Sequence, residues 1–134
     1  MSRNRIKSRD TDKNTIGKSS SLDSYPLFCF KYLQDASLKG CVDHKFYFEF
    51  LFRLKKLSEL GWKGINISGR HSFGTEKMPI DKIKPDLPSI ITEDVNELTV
   101  FRATGSNLPF LGIQKQDKFH VLFIETNFGD IYNH

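Results

Sequence analysis

Residues 97–125 read ELTVFRATGSNLPFLGIQKQDKFHVLFIE, and three strands follow one another in them. The expected strands span 97–103, 109–115 and 118–125. Gly105-Ser106-Asn107 and Gln116-Asp117 supply turn-forming residues between them. Connections this short join antiparallel neighbours, because a parallel crossover needs about a dozen residues or more. The result is a three-stranded meander. Residues 118–125 are apolar on both alternating faces, which places this strand centrally, with cover on both sides.

Upstream, residues 44–60 carry the clearest helical period. Phe46, Tyr47, Phe50, Leu51, Leu54, Leu57 and Leu60 follow the i, i+3, i+4, i+7 pattern of one apolar face. Asp43 is the expected N-cap and Gly61 the left-handed residue that ends the helix. Glu49–Arg53 and Lys55–Glu59 stand at i, i+4, where they support an exposed face modestly. Phe48 and Phe52 fall outside the stripe and mark a second contact surface. Residues 62–68 read as a second, short helix, weakened by Gly64.

Residues 26–33, PLFCFKYL, read as a further strand after Pro26, and 34–42 as a loop closed by Gly40. Cys29 falls in that strand and is expected in the core. Residues 69–88 are irregular, punctuated by Gly69, Gly74, Pro79, Pro85 and Pro88, with one short strand expected inside 75–80. The expected architecture is α+β: one long and one short helix packed on one face of a mostly antiparallel sheet, in the order strand, helix, helix, three-stranded meander.

Composition sets bounds. The chain has 134 residues, 38% hydrophobic and 27% charged, which suits one globular domain over 23–134. No apolar run approaches the ~18 residues of a membrane span, and residues 1–18, MSRNRIKSRDTDKNTIGK, lack the apolar segment of a secretory signal. Two cysteines are too few for a disulfide scaffold or a four-ligand metal site. A reduced, cytoplasmic protein that needs no cofactor is the expectation. The charge of +4 is concentrated: residues 1–24 hold Arg3, Arg5, Lys7, Arg9, Lys13 and Lys18 against Asp10, Asp12 and Asp23. Residues 1–22 are therefore expected to form a disordered basic tail that attracts phosphate polymers or acidic partners.

The order of elements over 26–134 resembles the RelE/ParE-like toxins of bacterial toxin–antitoxin pairs. At finer grain, Arg70-His71 with Glu76-Lys77, Val100-Phe101-Arg102 and Phe119-His120-Val121-Leu122-Phe123-Ile124-Glu125 look like a group of small bacterial proteins without a described activity. The resemblance implies a metal-independent endoribonuclease, an mRNA interferase acting at the ribosome, with an antitoxin protein as partner. The chain departs from that pattern in two ways. A long connection, 69–95, separates helix from meander, and the folded body carries only a modest positive charge.

Metal-free RNA cleavage needs a base for the 2′-hydroxyl, an acid for the leaving 5′-oxygen, positive charge for the phosphorane and stacking surfaces for bases. Arg70, His71, Glu76 and Lys77 form the densest polar cluster of the body: the cations suit a phosphate, and Glu76 or His71 suits proton transfer. As a solvated loop the same cluster would contribute little. Arg102, in an apolar strand, needs an ion-pair partner (Glu76, Glu97 or Glu125) or an anion. His120 is either a hydrogen-bonded structural histidine or a base. Tyr132 and His134, in the terminal stretch 129–134, reach a scissile phosphate if that stretch folds back across the sheet, and otherwise fray. No nucleotide-binding fingerprint or HExxH motif occurs, so ATP- or NAD-dependent chemistry has no support.

Two other functions compete. One is a non-catalytic nucleic-acid- or protein-binding module, such as an antitoxin partner or mobile-element accessory protein, which Phe48, Phe52 and the basic segment motivate. The other is a metal-dependent nuclease, for which ligand spacing is lacking. Deleting residues 1–22 should leave Tm nearly unchanged and, where that segment contacts RNA, flatten the salt dependence of binding. A deletion that unfolds the domain would place the segment in the core.

Overall fold

The computed structural model describes residues 24–38, 44–69, 72–104 and 108–134. Its strands are β1 (Leu27–Cys29), β2 (Glu76–Pro79), β3 (Glu97–Arg102), β4 (Pro109–Lys115) and β5 (Lys118–Ile124), and its α-helical element is α1 (His44–Ile67). The strands form one sheet in the order β1-β5-β4-β3-β2. β2 to β5 make a four-stranded antiparallel meander, and β1 joins β5 in parallel at the other edge. The architecture is α+β, as expected, with two corrections.

The first correction concerns the helices. Residues 44–67 run on as one element without a connecting loop, but the expected long and short helices are both present in it, divided at Gly61. Gly61 interrupts it with φ 79°, so Trp62 to Ile67 continue at an angle. A side chain at 61 would be strained at this φ and would press on the Tyr25 ring 3.3 Å away. The second correction concerns the strands. The short strand inside 75–80 is a full member of the sheet and extends the meander to four strands. β5 therefore lies one place from the edge, and β4 is central. β1 is shorter than the expected 26–33 because the chain turns after Phe30, where Leu33 N–H donates to the Phe30 carbonyl. Gln34 N–H and Ser37 Oγ then serve the β5 edge beyond β1 by bonding Leu122 O and Ile124 N–H.

Alternation along the strands sorts the apolar residues into two cores. Toward α1, Phe101, Phe110 and Phe119 form a ring cluster; Phe101 and Phe110 stack at 5.0 Å, and Phe119 meets Phe101 edge-on at 5.0 Å. Phe46, Phe50, Leu57, Trp62 and Ile65 of α1 close over it. On the other face Leu98, Val100, Leu111, Ile113, Leu122 and Phe123 are covered by Ile80, Ile83, Leu87, Ile90, Ile91, Val95 and the C-terminal Ile131 and Tyr132. The long connection after α1 is thus a second covering layer, and β5 is buried on both faces as its sequence requires. A register shift at Leu111/Gly112 leaves Leu122 as an extra residue on β5. It brings the His120 carbonyl to 1.9 Å from where a Cβ at Gly112 would stand, so only glycine fits there.

The apolar stripe of α1 is narrower than its sequence suggests. Phe46, Phe50 and Leu57 are buried, Tyr47 and Leu54 are half-buried, and Leu51 is 66% exposed. At 100° per residue Leu51 lies about 120° round from the centre of the buried face, beyond the reach of the sheet. Cys29 is half-buried at the sheet edge, not in the core, because β1 has a neighbour on one side only. Among the described residues no helix is long and apolar enough to cross a membrane. Leu57→Ala should cost ~2–5 kcal/mol through lost burial and a cavity, and Leu51→Ala no more than about 0.5 kcal/mol. Chemical denaturation with equal midpoints for the two variants would refute this packing.

Candidate functional site

A cleft of about 420 Å³ opens over the end of β2 and β3 on the face away from α1. The ladder pairs Glu76 with Val100 and Met78 with Leu98. Because side chains alternate, Glu76, Met78, Val100 and Arg102 share this face. Pro109, opposite Arg102 on β4, forms the floor's far side, and Phe128, Tyr132, Asn133 and His134 form the wall.

The wall exists because the chain folds back after β5. Glu125 is fully buried and accepts the Ile131 N–H at 2.9 Å on Oε2, while its Oε1 pairs with His134 Nε2. Lys84 holds the same turn from the covering layer: its N–H donates to Ile131 O at 2.8 Å and its Nζ to Gly129 O at 2.6 Å. Gly129 supplies the positive φ of the turn, 91°. The His134 ring stacks on Phe128 at 3.9 Å and on Tyr132 at 4.3 Å, between the two rings, and its side chain is only 17% exposed.

Electrostatics tie these groups together. The Tyr132 hydroxyl is pushed up to about 12, first by burial and then by the Glu76 and Glu125 carboxylates, with Arg102 opposing. Tyr132 therefore stays protonated at neutral pH, a hydrogen-bond and proton donor. Glu125 Oε1 anchors the His134 ring through Nε2, an arrangement in which a carboxylate orients an imidazole.

Of the residues expected from sequence, the cleft unites Glu76, Arg102, Tyr132 and His134. Lys77 is excluded: as the neighbour of Glu76 on a strand it points to the opposite face, where Nζ donates to Thr99 Oγ1 at 2.6 Å. His120 is excluded too, because it sits four residues before the end of β5, beside Lys115 and Lys118. Its ring meets Tyr32 edge-on at 5.6 Å, and its pKa is lowered by burial and then by those lysines. Arg70 and His71 lie outside the described residues. Sequence reasoning missed Glu125 and Phe128 as site residues. A carboxylate closing an apolar strand, just ahead of the Asn127–Gly129–Asp130 turn, was the available signal for Glu125. Among the described residues no three His, Cys, Asp or Glu gather as a metal site would require.

Comparison with protein-family models, with curated proteins and with solved structures gave no match.

Because the Tyr132 pKa is higher in the folded chain than its ordinary value of 10.0, the native state holds the extra proton in between. Its stabilising contribution is complete below about pH 10 and is lost as pH rises toward about 12. Tyr132→Phe should flatten that decline in alkaline denaturation; an unchanged slope would refute the placement of the hydroxyl. Glu125→Leu should cost at least ~1–3 kcal/mol by orphaning the Ile131 N–H, and hydrogen exchange at Ile131 and Tyr132 should accelerate.

Proposed function

We propose that the chain is a toxin-like, metal-independent endoribonuclease, an mRNA interferase of a toxin–antitoxin or defence locus, acting on RNA at the ribosome and restrained by an antitoxin. The observation that carries this reading is the meeting of Arg102, Glu76, Tyr132 and His134 in one cleft, with His134 oriented by Glu125. These groups supply what 2′-hydroxyl attack on phosphorus requires. His134 Nδ1 takes the 2′-hydroxyl proton as the 2′-oxygen bonds to phosphorus. Arg102 stabilises the phosphorane charge. Tyr132 gives its proton to the 5′-oxygen as the P–O5′ bond breaks, leaving a 2′,3′-cyclic phosphate. Burial, and then the Glu76 and Glu125 charges, keep Tyr132 protonated beforehand. Phe128, on His134, offers a ring edge for a base.

Purified protein should cut RNA in the presence of EDTA and leave 2′,3′-cyclic or 3′-phosphate ends. Arg102→Ala, if folded, should lose ~10²–10³ in rate, with comparable losses in Tyr132→Phe and His134→Ala. Lys77→Ala and His120→Ala should cut at the wild-type rate, since neither lines the cleft. A wild type that neither cuts RNA nor arrests growth when induced alone would favour a non-catalytic binding module. The exposure of Phe48 and Phe52, 70% and 55%, is the observation on that side.

A further inference from the structure

A second concavity, about 570 Å³, runs along one flank of α1 and is lined by Phe48, Glu49, Phe52, Arg53, Lys56 and Phe73, with Thr104 at its β3 end. Residues 48, 52 and 56 form one i, i+4 ridge of the helix, and 49 and 53 the next. Two large rings on an exposed flank are costly to leave in water. Cations sit on Phe52 and on the half-buried Phe73 of the same groove: Lys56 Nζ lies 5.5 Å from the Phe52 centroid and the Arg53 guanidinium 4.4 Å from that of Phe73.

Arg53 is the unusual member. The i, i+4 pairing with Glu49 expected from sequence does not form; Glu49 pairs with Lys45 at 3.8 Å. Arg53 instead gives Nη2 to the Ser72 carbonyl, and its buried Nε has no partner among the described residues. Burial, and then the positive charge of Arg102, lower its pKa. A half-buried guanidinium is thus held with one donor unsatisfied. An anion in the groove would supply the missing partner.

We propose that this groove is a binding track for single-stranded RNA, in which Arg53 takes a backbone phosphate and Phe52 and Phe48 stack bases. Exposed rings interleaved with cations are the chemistry of sequence-tolerant single-strand binding, since every base offers a π-face. The choice of RNA rests on the ribonuclease reading; the groove itself does not.

The test is the anisotropy of a short, fluorescein-labelled, single-stranded oligoribonucleotide with 2′-O-methyl sugars, which cannot be cut, titrated with the full chain. Phe48 and Phe52 are exposed, so Phe48→Ala and Phe52→Ala should remain folded. Each should weaken binding about 5- to 100-fold. Arg53→Gln should lower the slope of log affinity against log salt by about 0.7, the share of one phosphate on a single strand. Wild-type affinity in both phenylalanine variants, or no binding by the wild type, would overturn the proposal. Wild-type affinity in those variants would assign the groove to an apolar protein segment instead. Cleavage of unmodified RNA separates the two readings. Binding that depends on Phe52 without any cleavage retains the track and removes the ribonuclease. Cleavage with Phe52-independent binding does the reverse.

Discussion

A buried carboxylate holds the candidate site together. Glu125 stands where β5 ends and has no access to water, so its oxygens must be satisfied from within the protein. One takes the Ile131 N–H and the other the His134 ring. Satisfying that single side chain forces residues 126–134 to return across the sheet. The return buries Ile131 and Tyr132 in the second core and brings Tyr132 and His134 to the cleft that Arg102 lines. The same two bonds that close the fold thus orient the imidazole and raise the tyrosine's pKa.

The sheet's period of two decides which polar residues can cooperate. Glu76 and Lys77 are neighbours in the chain and look like one cluster, yet the pleat sends them to opposite faces. Glu76 goes to the cleft with Arg102, and Lys77 to Thr99 beneath α1. The two-sided burial of β5 follows from the same rule. A strand with large apolar residues at both odd and even positions needs two covers. Here α1 supplies one, and the long connection with the C-terminal turn supplies the other. The connection that sets this chain apart from the resemblance noted in its sequence is therefore a structural layer, and Lys84 within it helps hold the C-terminal turn.

Each of the two concavities carries an arginine: Arg102 lines the cleft and Arg53 the groove on the flank of α1. Cations set among exposed rings suit a polyanion better than a neutral ligand. The aromatic flank beside Arg53 lies on a part of the helix that the core does not use.

The α+β class, the three strands of 97–125, the helix over 44–60 and the break at Gly61 are all legible in the order of residues. All of these rest on local rules: side-chain period, turn residues and the conformational freedom of glycine. The sequence also marked Phe48 and Phe52 as lying off the buried stripe, and Arg102, Tyr132 and His134 as residues in need of an explanation. It overestimated the apolar face at Leu51, because how far round a helix burial extends is set by the curvature of the sheet beneath it. That Glu76 belongs in the cleft and that Lys77 and His120 do not emerges only on packing, since this depends on strand register and on which end of the sheet a residue occupies. Nor could spacing reveal that Glu125, read as one possible partner of Arg102, orients His134 instead. That contact exists only once the chain turns back on itself, and nothing in the order of residues encodes the distance between two segments until both are packed.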